Sequence, residues 1–317
     1  MSCLLSFPSF GSLATAWRRA VAALALTALT TGTCAAATEG MQSLSYQGQE
    51  RHVLVRLPGA QPAPAAGFPL VLVLHGGGGN AENAETMTGF TLKARQENFI
   101  VAYPEGTGRL KHALLTWNAG HCCGPAMERR ADDVGFIREL INRMVADYGV
   151  DPKRVYVTGM SNGAMMSHRI GIELADRVAA IAPVVGTLFG DEKMPSQAVP
   201  ALMINGRLDT NVPPDGGAPG GRFSGAWDGR PTLPALGQAS FWAAANGCQP
   251  DPETTTQAQV TRWRYACPTG HEVELQMVSD NGHAWPGGKA GNRRGDTPST
   301  AIDATDVIWR FFKSHAR

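Results

Sequence analysis

Residues 155–163 read VYVTGMSNG, and this run restricts the fold more than any other stretch. Four strand formers end in a serine flanked by Gly159 and Gly163, and an amphipathic, helix-like segment begins at once. A chain that turns this sharply from strand to helix crowds its own backbone, so the flanking positions must be small. Ser161, at the apex, has its hydroxyl pushed clear of the main chain. The N–H groups and positive dipole end of the next helix point towards the same spot. A strand entering a helix directly is also the repeating unit of a parallel sheet with crossover helices. A simple strand–helix turn would leave the serine idle, so the rest of the chain has to supply its chemistry.

The flanking sequence fits such a sheet. Strand-like runs are predicted at 52–57, 70–74, 99–103, 154–158, 178–184, 201–204 and 272–278. The central ones are apolar at successive positions, as in strands buried on both faces. Helical periodicity falls at 132–148, 162–174, 236–245 and 301–313. No repeat or low-complexity linker divides the chain. With 43% apolar and 17% charged residues the composition is globular. The formal charge of +1, with no Lys/Arg block, gives no reason to expect a nucleic-acid partner. The Gly/Pro-rich stretch 213–231 reads as either a disordered insert or a loop over a binding cleft, with the cleft loop favoured.

A reactive serine needs a base and an acid. His283 lies in Asp280-Asn281-Gly282-His283-Ala284-Trp285-Pro286-Gly287-Gly288, just beyond the last predicted strand. An imidazole there can take and return a proton near neutral pH. His75 is the rival base, but it falls early in the chain and is expected to brace its loop by hydrogen bonding. Asp209 follows the apolar run Ala201-Leu202-Met203-Ile204 and is preferred over Asp215, Asp228 and Asp280 as the acid that orients the imidazole. The order Ser161, Asp209, His283 is that of α/β-hydrolases. His75-Gly76-Gly77-Gly78-Gly79-Asn80 follows another strand, and bare glycines let backbone N–H groups approach a substrate oxygen. The N–H groups of Gly77 and Asn162 are therefore the expected oxyanion hole. A phosphate-binding reading lacks both the G-K-[ST] ending and the spaced G-x-G-x-x-G.

HGGGGN, YPEGT, WNAGHCCG, ADDVGF, VDPKRVYVTGMSNGAMM, INGRLDTNVP and NGHAWPGG together resemble the secreted polyhydroxybutyrate-depolymerase and feruloyl-esterase-like family of α/β-hydrolases. The likeness runs from about Tyr46 to the C-terminus. It implies a single-domain fold with a mostly parallel central sheet flanked by helices. It also implies a serine esterase with Ser161 as nucleophile, Asp209 as acid and His283 as base, no cofactor or metal, and an ester substrate from a polyester oligomer or plant cell wall. The position of Gly77 is often cysteine in such proteins; because the expected donor is a backbone N–H, glycine serves as well. Trp117 and Trp285 become candidate substrate contacts, with core filling as the alternative. Asp132 and Asp133 are expected to cap the following helix. A catalytically dead fold that binds polysaccharide or polymer, and a serine peptidase, are the competing functions.

Residues 1–37 read as a secretory signal. Arg18 and Arg19 precede a short apolar run, and Ala35 and Ala37 sit like the −3 and −1 positions of a cleavage site. Cys34 raises lipoprotein processing as the minority reading. Residues 38–317 are then the catalytic domain, extracellular or periplasmic, with no membrane contact after cleavage. In an oxidising compartment the remaining cysteines are expected in disulfides. Cys248–Cys267 is the favoured pair, while Cys122 and Cys123 could form a vicinal disulfide or stay a dithiol.

Overall fold

A computed structural model describes residues 38–59, 61–221, 224–291 and 295–317. The expected signal, 1–37, lies outside the described residues. Ten strands form one sheet in the order β1-β2-β4-β3-β5-β6-β7-β10-β9-β8. They are β1 (Gly40–Tyr46), β2 (Gln49–Arg56), β3 (Phe68–Leu74), β4 (Ile100–Pro104) and β5 (Val150–Met160), then β6 (Ala180–Val184), β7 (Ala201–Gly206), β8 (Glu253–Gln257), β9 (Val260–Arg264) and β10 (Val273–Val278). From β4 to β10 the neighbours run parallel, and antiparallel strands extend both edges. This is the doubly covered sheet that the apolar runs predict.

Strand β3 explains the layering. Leu70, Leu72 and Leu74 point into one core, and Val71 and Val73 into the other. The first core is closed by α4 (Asp133–Tyr148), α5 (Asn162–Glu173) and α6 (Ala235–Ala245), through Phe136, Leu140, Met166, Ile170 and Trp242. The second is closed by α1 (Ala81–Thr88), α2 (Phe90–Glu97) and α7 (Ala304–Phe312), with Phe90 and Phe312 fully buried. A short helix, α3 (Gly124–Glu128), completes the α-helices among the described residues. Burying each such side chain contributes about 1.5–3 kcal/mol.

Three strands (β1, β8 and β9) and three helices (α1, α2 and α3) lie outside the sequence expectation. All five residues of β8 are exposed, so no apolar alternation marks it. It survives as a Thr-rich edge paired to β9. Helices α1 and α2 have eight residues each and meet at Gly89, whose φ of 70° ends one and starts the next. Asn80, read as part of the glycine loop, is the N-cap of α1 and accepts from the Asn83 N–H at 2.9 Å. Cys248 and Cys267 are joined in a disulfide that brackets the β8–β9 hairpin, and Cys122 is bonded to Cys123 across a cis peptide.

Of the two adjacent aspartates, only Asp132 caps α4, accepting from the Gly135 N–H at 3.0 Å. Asp133 is wholly buried and pairs with Arg51 of β2 at 2.7 Å, while its other oxygen accepts from the Asn118 N–H at 2.8 Å. Burial pushes the Asp133 carboxyl up, and Arg51 opposes this by favouring the charged form. The Arg51 guanidinium also lies 3.9 Å from the Phe136 ring centre. Arg51→Met will strand a buried carboxylate and cost about 3–5 kcal/mol, measured by urea unfolding. A loss under about 1 kcal/mol would contradict this account of the pair.

Candidate active site

The parallel strands bring four loops to one sheet edge, their C-terminal one, where open α/β sheets place ligands. At the end of β5, Ser161 has φ 57° and ψ −123°, a conformation that L-residues rarely hold. Its N–H donates to Val184 O at 3.0 Å, and its own carbonyl accepts from Met165 N at 3.0 Å, which fixes the turn at both sides. A Cβ on Gly159 would lie 2.7 Å from the Gly163 carbonyl, and one on Gly163 would collide with the carbonyls of Leu74 and His75. Both glycines are therefore sterically required, as the sequence reading expects.

Strands β7 and β10 are parallel neighbours in register, Gly206 opposite Val278. The loop after β10 folds back over the end of β7: the Leu208 N–H donates to Asn281 O at 2.9 Å. Any side chain at Gly206 would strike Asn281 and Gly282. This brings His283 Nδ1 within 2.8 Å of Asp209 Oδ2. The second Asp209 oxygen accepts from the N–H groups of Asn211 at 2.8 Å and Val212 at 2.9 Å. With its carboxylate only 1% exposed and both oxygens occupied, Asp209 has a fixed orientation. Because the carboxylate oxygen accepts, this hydrogen bond puts the proton on His283 Nδ1 and leaves Nε2 free to accept one. Asp296 holds the loop from outside, accepting from the His283 N–H at 2.6 Å. The competing acids have other partners: Asp215 pairs with Arg207, Asp228 with His121, and Asp280 accepts from the Ser299 hydroxyl.

The glycine loop lies against the serine turn. A Cβ on Gly76 would be 3.6 Å from Ser161 Cβ, and one on Gly77 the same distance from Asn162 Cβ. Gly78 N donates to Leu115 O and Gly79 N to Gly76 O. Neither the Gly77 nor the Asn162 N–H donates to another described residue. Fully buried His75 accepts from the Gly106 N–H at Nε2 and so donates from Nδ1 to Gly76 O at 2.8 Å. Burial lowers its pKa to about 4, partly offset by the Gly76 hydrogen bond. It is a neutral brace.

Both tryptophans expected as substrate contacts belong to the core, a correction to the sequence reading. Trp117 is 0% exposed and donates from its indole to His75 O at 3.0 Å. Trp285 is 1% exposed, donates to Thr305 Oγ1 and packs edge-on against Phe90. Each ring meets its polar need internally and offers no face to a ligand. A cavity of about 550 Å³ does open among loops of this edge, walled by His121, Phe189, Arg230, Thr232 and Leu233. Part of the 213–231 loop lines it. His121 is clamped there between Asp228 at 2.6 Å and Asp191 at 2.9 Å. No sequence pattern singles out His121 or Phe189, because their loops meet only in three dimensions.

Behind Ser161 lies a buried polar relay. The Trp242 indole donates to His168 Nδ1 (2.9 Å), His168 Nε2 to Gln238 Oε1 (2.7 Å), Gln238 to Asn205 (2.9 Å), and Asn205 to Gly186 O (3.2 Å). Gly186 packs against the Ser161 carbonyl. Burial lowers the His168 pKa to about 4, against the raising effect of Gln238. An unfolded imidazole titrates near about 6.5, so between these values the unfolded chain binds a proton that the folded one refuses. Stability from this group is therefore full above about 6.5 and falls as pH drops towards 4. In His168→Leu the slope of unfolding free energy against pH across that window will be shallower by up to about 1.4 kcal/mol per pH unit. Chemical denaturation at several pH values measures it; equal slopes would refute the neutral buried state.

Comparison with known proteins adds the family. Residues 53–213 match the family model described as Esterase PHB depolymerase. Feruloyl esterase B of Piromyces equi is 32% identical over 249 residues, covering 76% of this chain and 44% of that protein. Poly(3-hydroxybutyrate) depolymerase of Ralstonia pickettii is 27% identical over 279 residues, covering 80% and 55%. The chain thus spans about half the length of these two relatives. Among solved structures, an acetyl xylan esterase from Aspergillus awamori superposes with a TM-score of 0.59 at 14% identity, covering 86% of this chain and 99% of that one. That likeness concerns the α/β-hydrolase fold.

Proposed function

This chain belongs to the Esterase PHB depolymerase family, and on that premise we propose that it is a secreted serine carboxylic-ester hydrolase working through an acyl-enzyme. The observation that carries the reading is the Asp209–His283 hydrogen bond on the sheet edge where the strained Ser161 turn also lies. In the first step the Ser161 hydroxyl proton passes to His283 Nε2 while Oγ bonds to the ester carbonyl carbon. The carbonyl becomes an oxyanion, received by the N–H groups of Gly77 and Asn162. Collapse breaks the bond to the alcohol, which leaves with the proton from His283. Water, deprotonated by the same imidazole, then attacks the acyl carbon and releases the acid and free Ser161. Asp209 holds the imidazole tautomer and stabilises its charged form throughout.

Two ester classes fit: feruloyl or acetyl groups on plant polysaccharide, and hydroxyalkanoate oligomers. The relatives' names span both. Parallel assays on methyl ferulate, acetylated xylan and 3-hydroxybutyrate oligomers separate them. The mechanism is tested with a fluorophosphonate probe, which reacts only with an activated serine. Labelling mapped to Ser161 is the expected result. An unlabelled, folded protein would favour a polymer-binding role without catalysis.

A further inference from the structure

The oxyanion hole proposed above combines an N–H from α5 with an N–H from a loop of four successive glycines, Gly76 to Gly79. Glycine backbone is the least self-restrained of all. Something outside the loop has to set the direction of the Gly77 N–H relative to that of Asn162. Donors in such a site are effective only when held within about 0.5 Å and 10–20° of the productive geometry.

The side chain of Asn162 is placed to do this. It is 2% exposed. Its Oδ1 accepts from the Trp117 N–H at 2.7 Å, and its Nδ2 donates to the Trp117 carbonyl at 3.0 Å. One side-chain amide thus takes both main-chain polar groups of Trp117, much as a facing strand residue would. The Trp117 indole in turn donates to His75 O, and its ring lies 5.0 Å from the His75 imidazole. His75 donates to Gly76 O and accepts from Gly106 N. These contacts form a continuous path from Asn162 through Trp117 and His75 to Gly76, the residue before the Gly77 donor. Every side chain on that path is buried.

We propose that Asn162, through its side-chain clasp on Trp117, is a positioning residue that fixes the spacing of the two oxyanion-hole donors. The inference rests on the serine-esterase reading and adds to it a function for an amide and an indole that touch no reacting atom. A donor set that is loosened but not deleted loses part of what removing one donor costs, which is about 10²–10³ in kcat. The loss appears in kcat because the clasp matters most when the carbonyl oxygen carries full negative charge.

The variants are Trp117→Phe, which keeps the ring and removes the indole donor, and Asn162→Ala, which keeps the backbone N–H and removes the clasp. Each is assayed on a p-nitrophenyl ester, with kcat expressed per fluorophosphonate-titrated site so that unfolded molecules do not count. Expected is a kcat lower by about 10- to 100-fold with KM within about threefold of the parent. Affinity for a boronic acid, whose tetrahedral adduct uses the same hole, should weaken by a similar factor. Should Asn162→Ala not fold, Trp117→Phe alone carries the test. Unchanged kcat per site and unchanged boronate affinity in Trp117→Phe would overturn the inference while leaving the esterase reading intact. A parent protein that does not label at Ser161 would remove that reading and this inference with it.

Discussion

Ser161→Ala will lower kcat by about 10⁶-fold, to the residual rate that an oxyanion hole and binding alone provide. The fold will persist, because among the described residues the Ser161 side chain has no hydrogen-bond partner; the turn is fixed by backbone bonds to Val184 and Met165. A companion variant separates chemistry from stability. At φ 57° and ψ −123° every residue with a Cβ is strained, at about 1–3 kcal/mol for such a conformation. Ser161→Gly will therefore be as inactive as Ser161→Ala yet more stable than the parent by about 1 kcal/mol. Ester-assay rates and urea midpoints measured on the same preparations decide it. A glycine variant less stable than the parent would show that the turn is not strained by its side chain.

The second large effect is expected at Asp209. Asp209→Asn changes one atom, and the Asn can keep the acceptor for the N–H groups of Asn211 and Val212. The oxygen that faces His283 Nδ1 then becomes an amide nitrogen, so two donors oppose each other at the 2.8 Å contact. The imidazole escapes by moving its proton to Nε2, which removes the base from the side where it is needed. A fall of about 10⁴ in kcat follows, with little change in fold. The loss should shrink at alkaline pH, where hydroxide can replace the missing base. A rate within tenfold of the parent would mean that another acid orients His283.

The relation between sequence and structure follows from what each residue has to satisfy. Strands β3 to β7 and β10 are legible because both their faces are buried, so apolar residues run on without a break. The β8–β9 hairpin is not, since an exposed edge strand needs no core face. Gly159, Gly163 and the turn between them are legible because only small residues fit so tight a reversal. The nearness of Asp209 and His283 can be read from their positions just past strands that a parallel sheet sets side by side. The tryptophans lie beyond such reading: a motif neighbour of the base can face substrate or core, and only packing decides. Trp285, in a loop, needed Phe90 of α2 and Thr305 of α7 to reveal its burial. The Asn162 clasp is hidden for the same reason, as its partner stands 45 residues earlier in the chain.

The most direct test of the whole account is rapid-quench intact mass spectrometry during turnover of a p-nitrophenyl acyl ester. A transient adduct equal to the acyl group, mapped by peptide digestion to Ser161 and absent from Ser161→Ala, is the predicted result. Steady hydrolysis with no adduct at Ser161, undiminished in the alanine variant, would contradict it.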